Sequence, residues 1–349
     1  MKKNLYLCFF SALILLACAD DSSSAKADSA EKNDSATDTP HIILDTDIGS
    51  STDDLFAMQN LYDCHKEKKC KLLGVVVDRM GENNTIIADV MNTYFGLGEI
   101  PIGLERNGVK DPKVWIDYAE LPADTNADGT LMFERSVDDY SKILDSYKLY
   151  RKLLADEPDH SVTIVSTGFV TSLANLLNSK ADEYSDLPGV DLVKAKVKNL
   201  YIMGGVFGDA EESDYNFRQA IDFSLDFFNL WPNDVPRIFS PGEVGDGIEY
   251  TPEQIFNDIS WTDAHPIKQV YLNNDCRTGQ KMWDVMPVLN AVYGDSLFNI
   301  SDKGRVTFNK DGITTFTKDP KGNDRYQIKG DKQWNADMLQ RIRDVNQKH

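Results

Sequence analysis

Positive charge is scarce in this chain. Its 349 residues carry 37 Lys and Arg against 56 Asp and Glu, a formal charge of −19. A surface so acidic repels phosphate backbones and anionic lipid, which argues against a basic nucleic-acid groove. Histidine is nearly absent: His41, His65, His160, His265 and His349 stand far apart and form no ligand cluster. The five cysteines include Cys8 and Cys18 at the extreme N-terminus; Cys64, Cys70 and Cys276 do not make a zinc pattern. Beyond residue 17 no apolar run reaches the 18 or so residues of a membrane span. A phosphate-binding Gly-x-x-x-x-Gly-Lys-Ser/Thr loop and a serine nucleophile elbow are also missing. What remains is an ordinary globular composition, 41% hydrophobic and 10% aromatic, rich in carboxylates suited to a hard cation.

Residues 1–18, MKKNLYLCFFSALILLAC, have a basic start and an apolar run of signal-peptide length. Leu15-Leu16-Ala17-Cys18 resembles a bacterial lipobox, which implies lipidation at Cys18 and a lipid-anchored protein of the cell envelope, periplasmic or surface-exposed. Residues 19–40 are small, polar and charged and read as a disordered tether. The globular domain is expected over 41–349, held to the membrane through the N-terminal lipid alone. An exported location permits a Cys64–Cys70 disulfide; two buried thiols are the alternative.

From His41 onward, short apolar strands alternate with helices. Strands are expected at 41–44, 72–77, 101–104, 162–165, 199–203 and 236–239, and helices at 53–65, 84–95, 140–155, 170–177, 221–230 and 285–292. In the second helix Ile87, Val90, Met91 and Tyr94 share one face. Residues 105–137 read as irregular, 294–328 as short β runs, and 331–345 as a closing helix. The pattern implies an α/β fold, an open and mostly parallel sheet with helices on both faces and a small β-rich C-terminal extension.

The segment IILDTDIGSSTDD places Asp45, Asp47, Asp53 and Asp54 where the first strand gives way to a helix. Such crowding is tolerable around a divalent cation, and strand C-terminal ends are where open α/β sheets bind ligands. Helix capping by Thr52 or Asp53, with Asp54 in the first turn, accounts for only half of these acids.

This turn resembles the DTDPGxDD signature of the inosine-uridine-preferring nucleoside hydrolases, in the form of a variant branch with a longer DTDxGSxxDD turn. Further segments match that family in order: GVVVDRMGENNTIIADVMNTYFG, VTIVSTGFVTSLANLL, YIMGG, DYNFRQAID, RIFSPGEVGD and MWDVMPVLNAV. The resemblance covers residues 41–310. It implies hydrolysis of the N-glycosidic bond of ribonucleosides to ribose and free base, dependent on Ca2+. It implies Asp47 as calcium ligand and general base, Asp54, the Thr167 carbonyl and Asp284 as further ligands, and Asp53, Asn83, Met203, Asp214 and Asn216 as ribose-binding residues. Asn84 and Asp78 compete with Asn83 for that place, and Asp45 orients the turn. The resemblance also implies a dimer or tetramer.

Departures fall on the side of the leaving base. Trp283 stands where the family has a histidine, and the loop after Gly205 is shorter; on the ribose side, Asp214 stands where the family has glutamate and can still accept a hydroxyl hydrogen bond. Indole is no acid near neutral pH, but it can stack on a base. Asp209, Glu211, Glu212 and Glu243 are the acids near that wall. A nucleoside- or ribose-binding lipoprotein without turnover is the alternative that Trp283 raises. Two further motifs weigh less. Asp124, Asn126, Asp128 and Gly129 start like an EF-hand loop, but position 12 is Arg135, so a polar loop or pocket lid is expected. The strand-then-DxD start of a haloacid dehalogenase phosphatase lacks its fourth-position Thr or Val, since that place is Gly49.

Overall fold

The computed structural model describes residues 39–110, 112, 114–208, 212–275 and 278–348, which belong to one compact unit. The expected signal peptide, the expected lipidation site Cys18, the expected tether up to residue 38, Cys276, Asp209 and Glu211 lie outside the described residues. Among those described, no helix is long and apolar enough to cross a membrane.

The apolar runs become the strands of one sheet. Seven come first: β1 (His41–Thr46), β2 (Lys71–Arg79), β3 (Ile102–Val109), β4 (Leu144–Asp145), β5 (Val162–Ser166), β6 (Val197–Met203) and β7 (Arg237–Ser240). Their order is β7-β6-β5-β1-β2-β3-β4, and every neighbouring pair is parallel. The chain builds outward from β1 to β4, then returns to the other side of β1 and builds outward again from β5 to β7. Such a reversal opens a crevice at the C-terminal ends of β1 and β5.

Helices cover both faces. On one side lie α1 (Asp53–Lys66) and α2 (Glu82–Tyr94), and on the other α3 (Ser146–Asp156), α4 (Thr171–Leu177), α5 (Gly189–Lys196) and, beyond the short α6 (Tyr215–Arg218), α7 (Ile221–Leu230). Alternation along β1 feeds both cores: Ile42 and Leu44 pack with α1 and α2, and Ile43 with α3 and α4. After β7 come α8 (Gly242–Gly245), a two-stranded antiparallel ladder of β8 (Glu249–Tyr250) and β9 (Gln280–Lys281), α9 (Pro252–Asp258), α10 (Pro266–Asn273) and α11 (Val285–Tyr293). The last strands are β10 (Asn299–Ile300), β11 (Gly304–Phe308), β12 (Thr314–Lys318) and β13 (Asp324–Ile328), and α12 (Lys332–Asn346) closes the chain.

The C-terminal β runs are no separate lobe. β13 pairs parallel to β7, so the same sheet continues through β13, β11 and β12. The junction is fastened by buried Arg237, which meets Asp324 through two hydrogen bonds of 2.8 and 2.7 Å.

Some expectations change. β3 runs on to Val109, into the stretch read as irregular, because pairing with β2 resumes at Arg79 and Val109 after a register shift. The helix expected from Tyr140 starts at Ser146, since Leu144 and Asp145 pair with β3 first. α5, α9 and α10 were not foreseen, although α9 carries a legible start: a capping box of Thr251 and Gln254 around Pro252. Cys64 and Cys70 are free thiols and not a disulfide. Both are buried, Cys64 Sγ lying 3.6 Å from the Tyr293 hydroxyl and Cys70 Sγ 4.0 Å from the Leu61 carbonyl. The EF-hand-like segment is a polar turn in which Asp128 accepts from the Thr130 hydroxyl at 2.6 Å, while Asp124 accepts from Asn273 of α10 at 2.7 Å.

Candidate active site

Strand ends and the turns after them deliver the side chains. Asp47 follows β1, Thr167 follows β5, Met203 ends β6, Asp53 and Asp54 open α1, and Asp284 precedes α11. Asp47, Asp53, Thr167, Met203, Asp214, Asn216, Trp283 and Asp284 line one cavity of about 250 Å³, joined by Trp115, Tyr215 and Asp246. A larger cavity of about 540 Å³, walled by Gln59, Trp261 and Lys348, lies elsewhere and holds none of these residues.

Thr52 is the residue before α1, but its hydroxyl caps nothing; it meets Tyr271 at 3.0 Å and Gln280 at 3.1 Å. Asp284 likewise makes no side-chain cap on α11. The Asp284 carboxyl is therefore not spent on capping. Carboxylate oxygens of Asp53, Asp54 and Asp284 lie within 4.8 Å of one another, all buried. Asp53 is steered inward by Ser51, by Gln280 at 3.1 Å and by the Asp284 amide at 3.4 Å. Asp54 accepts from Thr46, and its second oxygen is buried without a hydrogen-bond partner. An orphaned carboxylate oxygen beside two other carboxylates is the donor set of a hard divalent cation, which these residues fit. The mutually close trio includes Asp53, the expected ribose-binding residue. Asp47 is not among the three, although it lines the same cavity and its charge acts on Asp54 and Asp284.

Burial dominates the electrostatics. It pushes Asp47 up to about 7 and Asp53 up to about 6, against attraction from Arg79 in the first case and hydrogen bonds in the second. Asp54 and Asp284 are pushed well above the usual carboxylate range by burial and then by their acidic neighbours. Behind them, Asp45 accepts from Tyr150 at 2.6 Å and faces Asp78, whose carboxyl burial and Asp45 together raise strongly. Without a cation this cluster holds protons that a cation would displace.

The opposite wall is polar and soft. Asn216 donates to the Thr167 carbonyl at 3.1 Å and lies 3.2 Å from the Met203 sulfur, so these three form one surface. Asp214 caps α6 through the Phe217 amide at 3.2 Å, and burial lifts it to about 6. At the rim, Trp283 donates to Asp246 at 3.2 Å, and Lys281 pairs with the same carboxylate at 2.8 Å. The Trp115 and Tyr215 rings meet edge to face, 4.7 Å between centroids.

Asn83 is not brought to the cavity. It donates to the Ala119 carbonyl at 2.9 Å, while Asn84 sits beneath Gly49. Successive helical residues point about 100° apart, so only one of the pair faces the turn. Glu212 and Glu243 are exposed and do not line the cavity; the acid that does is Asp246. Sequence reasoning also missed Arg79, Tyr118 and Gln280. The Tyr118 hydroxyl, 2.6 Å from the Gly49 amide and 2.9 Å from the Ser51 carbonyl, clamps the acidic turn from outside. A charge pair ending the apolar strand KLLGVVVDR was a signal for Arg79, whereas nothing in the sequence singled out Gln280.

No family model and no curated protein matches the chain by sequence. Solved structures do match its fold. A plant nucleoside hydrolase superposes with TM-score 0.59 at 17% identity, over 87% of this chain and 99% of its own. A purine-preferring ribonucleoside hydrolase from Gardnerella vaginalis gives 0.63 at 15% identity, over 88% and 99%. The type III effector XopQ, solved with adenosine diphosphate ribose, gives 0.60 at 14% identity, over 88% and 94%. The fold is that of the nucleoside hydrolases.

Proposed function

We propose that the protein hydrolyses the N-glycosidic bond of ribonucleosides in a calcium-dependent reaction. The observation that carries this reading is the cavity itself: Asp53 and Asp284 of a buried all-oxygen carboxylate trio line it with Asp47, and Asp54 lies behind them. The Asn216–Thr167–Met203 surface forms one wall and an indole the rim. When bound, calcium would supply the positive charge that acidifies a water and anchors the ribose hydroxyls.

Asp47 takes the proton of the attacking water, whose oxygen bonds to the anomeric carbon as the bond to the base breaks. Burial raises its pKa to about 7 in the cation-free protein, and a bound cation would favour its ionised, proton-accepting form. Asp53, Asn216 and Asp214 hold ribose hydroxyls, and Met203 packs beneath the sugar. Trp283, with its nitrogen committed to Asp246, offers a stacking face and no proton. The departing base therefore leaves as an anion and is protonated by solvent. The chain is read as exported and anchored through Cys18.

The test is release of reducing sugar from a panel of nucleosides, with and without chelator. Release abolished by chelator and restored by calcium supports the proposal. A folded protein that binds nucleosides and releases no ribose under either condition overturns it in favour of a binding protein.

A further inference from the structure

The acidic cluster contains a buried cation that neither capping nor ligation uses. Arg79 ends β2 with its side chain turned inward; the residue is 8% exposed, and its Nε and Nη1 are buried without a hydrogen-bond partner. Burying a guanidinium is expensive unless something offsets it. Arg237, the comparable buried arginine, is offset by its two hydrogen bonds to Asp324. Among the described residues, neither Nε nor Nη1 of Arg79 has such a partner.

Its position explains the difference. A Cβ at Gly49 would stand 2.9 Å from Arg79 Nη1 and 2.4 Å from Asn84 Oδ1, and Gly49 has a φ of +123°. The guanidinium therefore lies directly beneath the turn that links β1 to α1, in space that only glycine leaves open. From there its charge faces the acidic turn itself, with Asp47 two residues before Gly49 and Asp53 and Asp54 opening the helix after it.

We propose that Arg79 is the resident countercharge of the acidic turn, a positioning residue that holds Asp47 and Asp54 together before any cation enters and that weakens the cation's binding once it does. The second half rests on the calcium reading above; the first does not. The sign of the effect separates this role from simple packing. A packing residue, once removed, weakens both the fold and the site. A countercharge, once removed, destabilises the empty site but leaves more net negative charge for a divalent ion, so binding tightens.

The experiment compares wild type, Arg79→Met, Arg79→Lys, Asp47→Asn and the Arg79→Met/Asp47→Asn double variant. Thermal unfolding in chelator at pH 8.5 is the first readout and calcium titration by calorimetry the second. Arg79→Met is expected to lower the unfolding midpoint, Arg79→Lys to retain most of it, and the double variant to recover at least half of the loss. Calcium is expected to bind folded Arg79→Met roughly tenfold more tightly than wild type, as loss of one nearby positive charge dictates. An equal loss in the presence and absence of Asp47→Asn, or weakened calcium binding by folded Arg79→Met, overturns the proposal. Should Arg79→Met not fold, folding of the double variant supports it and failure of both overturns it. A wild type that binds no calcium would sink the calcium reading, while the chelator comparison would still decide the role of Arg79.

Discussion

Water exclusion around single carboxyl groups sets the chemistry of the cavity. Asp47, unfolded, has an ordinary carboxylate pKa near 3.8; folded and without cation, burial moves it to about 7. The folded state then binds more protons than the unfolded one, so stability falls as pH rises. In chelator, the unfolding midpoint is expected to decline between about pH 4 and pH 7, and added calcium should raise it most above that window. A flat profile in chelator would contradict the burial of ionisable acids. Asp47→Asn keeps an oxygen for a cation but cannot accept a proton. Turnover should drop about 10²- to 10⁴-fold, while calcium binding by calorimetry persists. At the rim, Trp283 cannot protonate a leaving base, so p-nitrophenyl riboside should be cleaved much faster than inosine in steady-state assays, and Trp283→Ala should raise KM more than it lowers kcat. Equal rates on both substrates, with chemistry limiting, would require an acid on that wall, and Asp246 is the one the cavity offers.

At the scale of elements, the site depends on how closely β5 approaches the turn after β1. A Cβ on Gly168 would lie 2.4 Å from the Asp47 amide and 2.5 Å from an Asp78 carboxylate oxygen. Neither backbone nor buried acid can yield, so Gly168→Ala should destabilise the fold by about 1–3 kcal/mol and cut activity with it. Gly208→Ala, with nothing within 4 Å of the added carbon, is the matching control and should leave both unchanged. Both strands of this junction were legible as apolar runs ending in polar turns. The identity of the side chain under the turn was not: Asn83 and Asn84 are indistinguishable by spacing, and only the start of α2 at Glu82 turns Asn84 inward. Likewise Gln280, which orients Asp53, comes from a strand more than 200 residues away that pairs only with β8.

For the whole molecule, the parallel sheet does not end at β7. Its continuation through β13 carries the buried Arg237–Asp324 pair at the junction, so Asp324→Ala, which strands a buried guanidinium, should cost about 3–5 kcal/mol in denaturant unfolding. The ribose-side wall is built on other strand ends, so kcat measured below the new midpoint should hold. A loss below about 1 kcal/mol would mean that the edge strands are held by pairing alone. At the other end of the chain, Cys18→Ser should move the protein from the membrane fraction to the soluble one with kcat unchanged. Continued membrane association of that variant would disprove the lipid anchor.

The sequence by itself determined the alternation of strands and helices, the parallel sheet and the acidic turn at its C-terminal edge, because hydrophobic period and charge crowding are local properties of the chain. Motif matching also singled out Asp47, Asp284, Thr167, Met203, Asp214 and Asn216, which line one cavity, and Asp54, which lies against Asp53 and Asp284. Only the tertiary structure decided which carboxylates close on one another, that Asn84 rather than Asn83 lies beneath the turn, and that Arg79, Tyr118 and Gln280 support it. Those choices depend on which distant elements meet and how far water is excluded where they do. Neither is written in the spacing of any one segment.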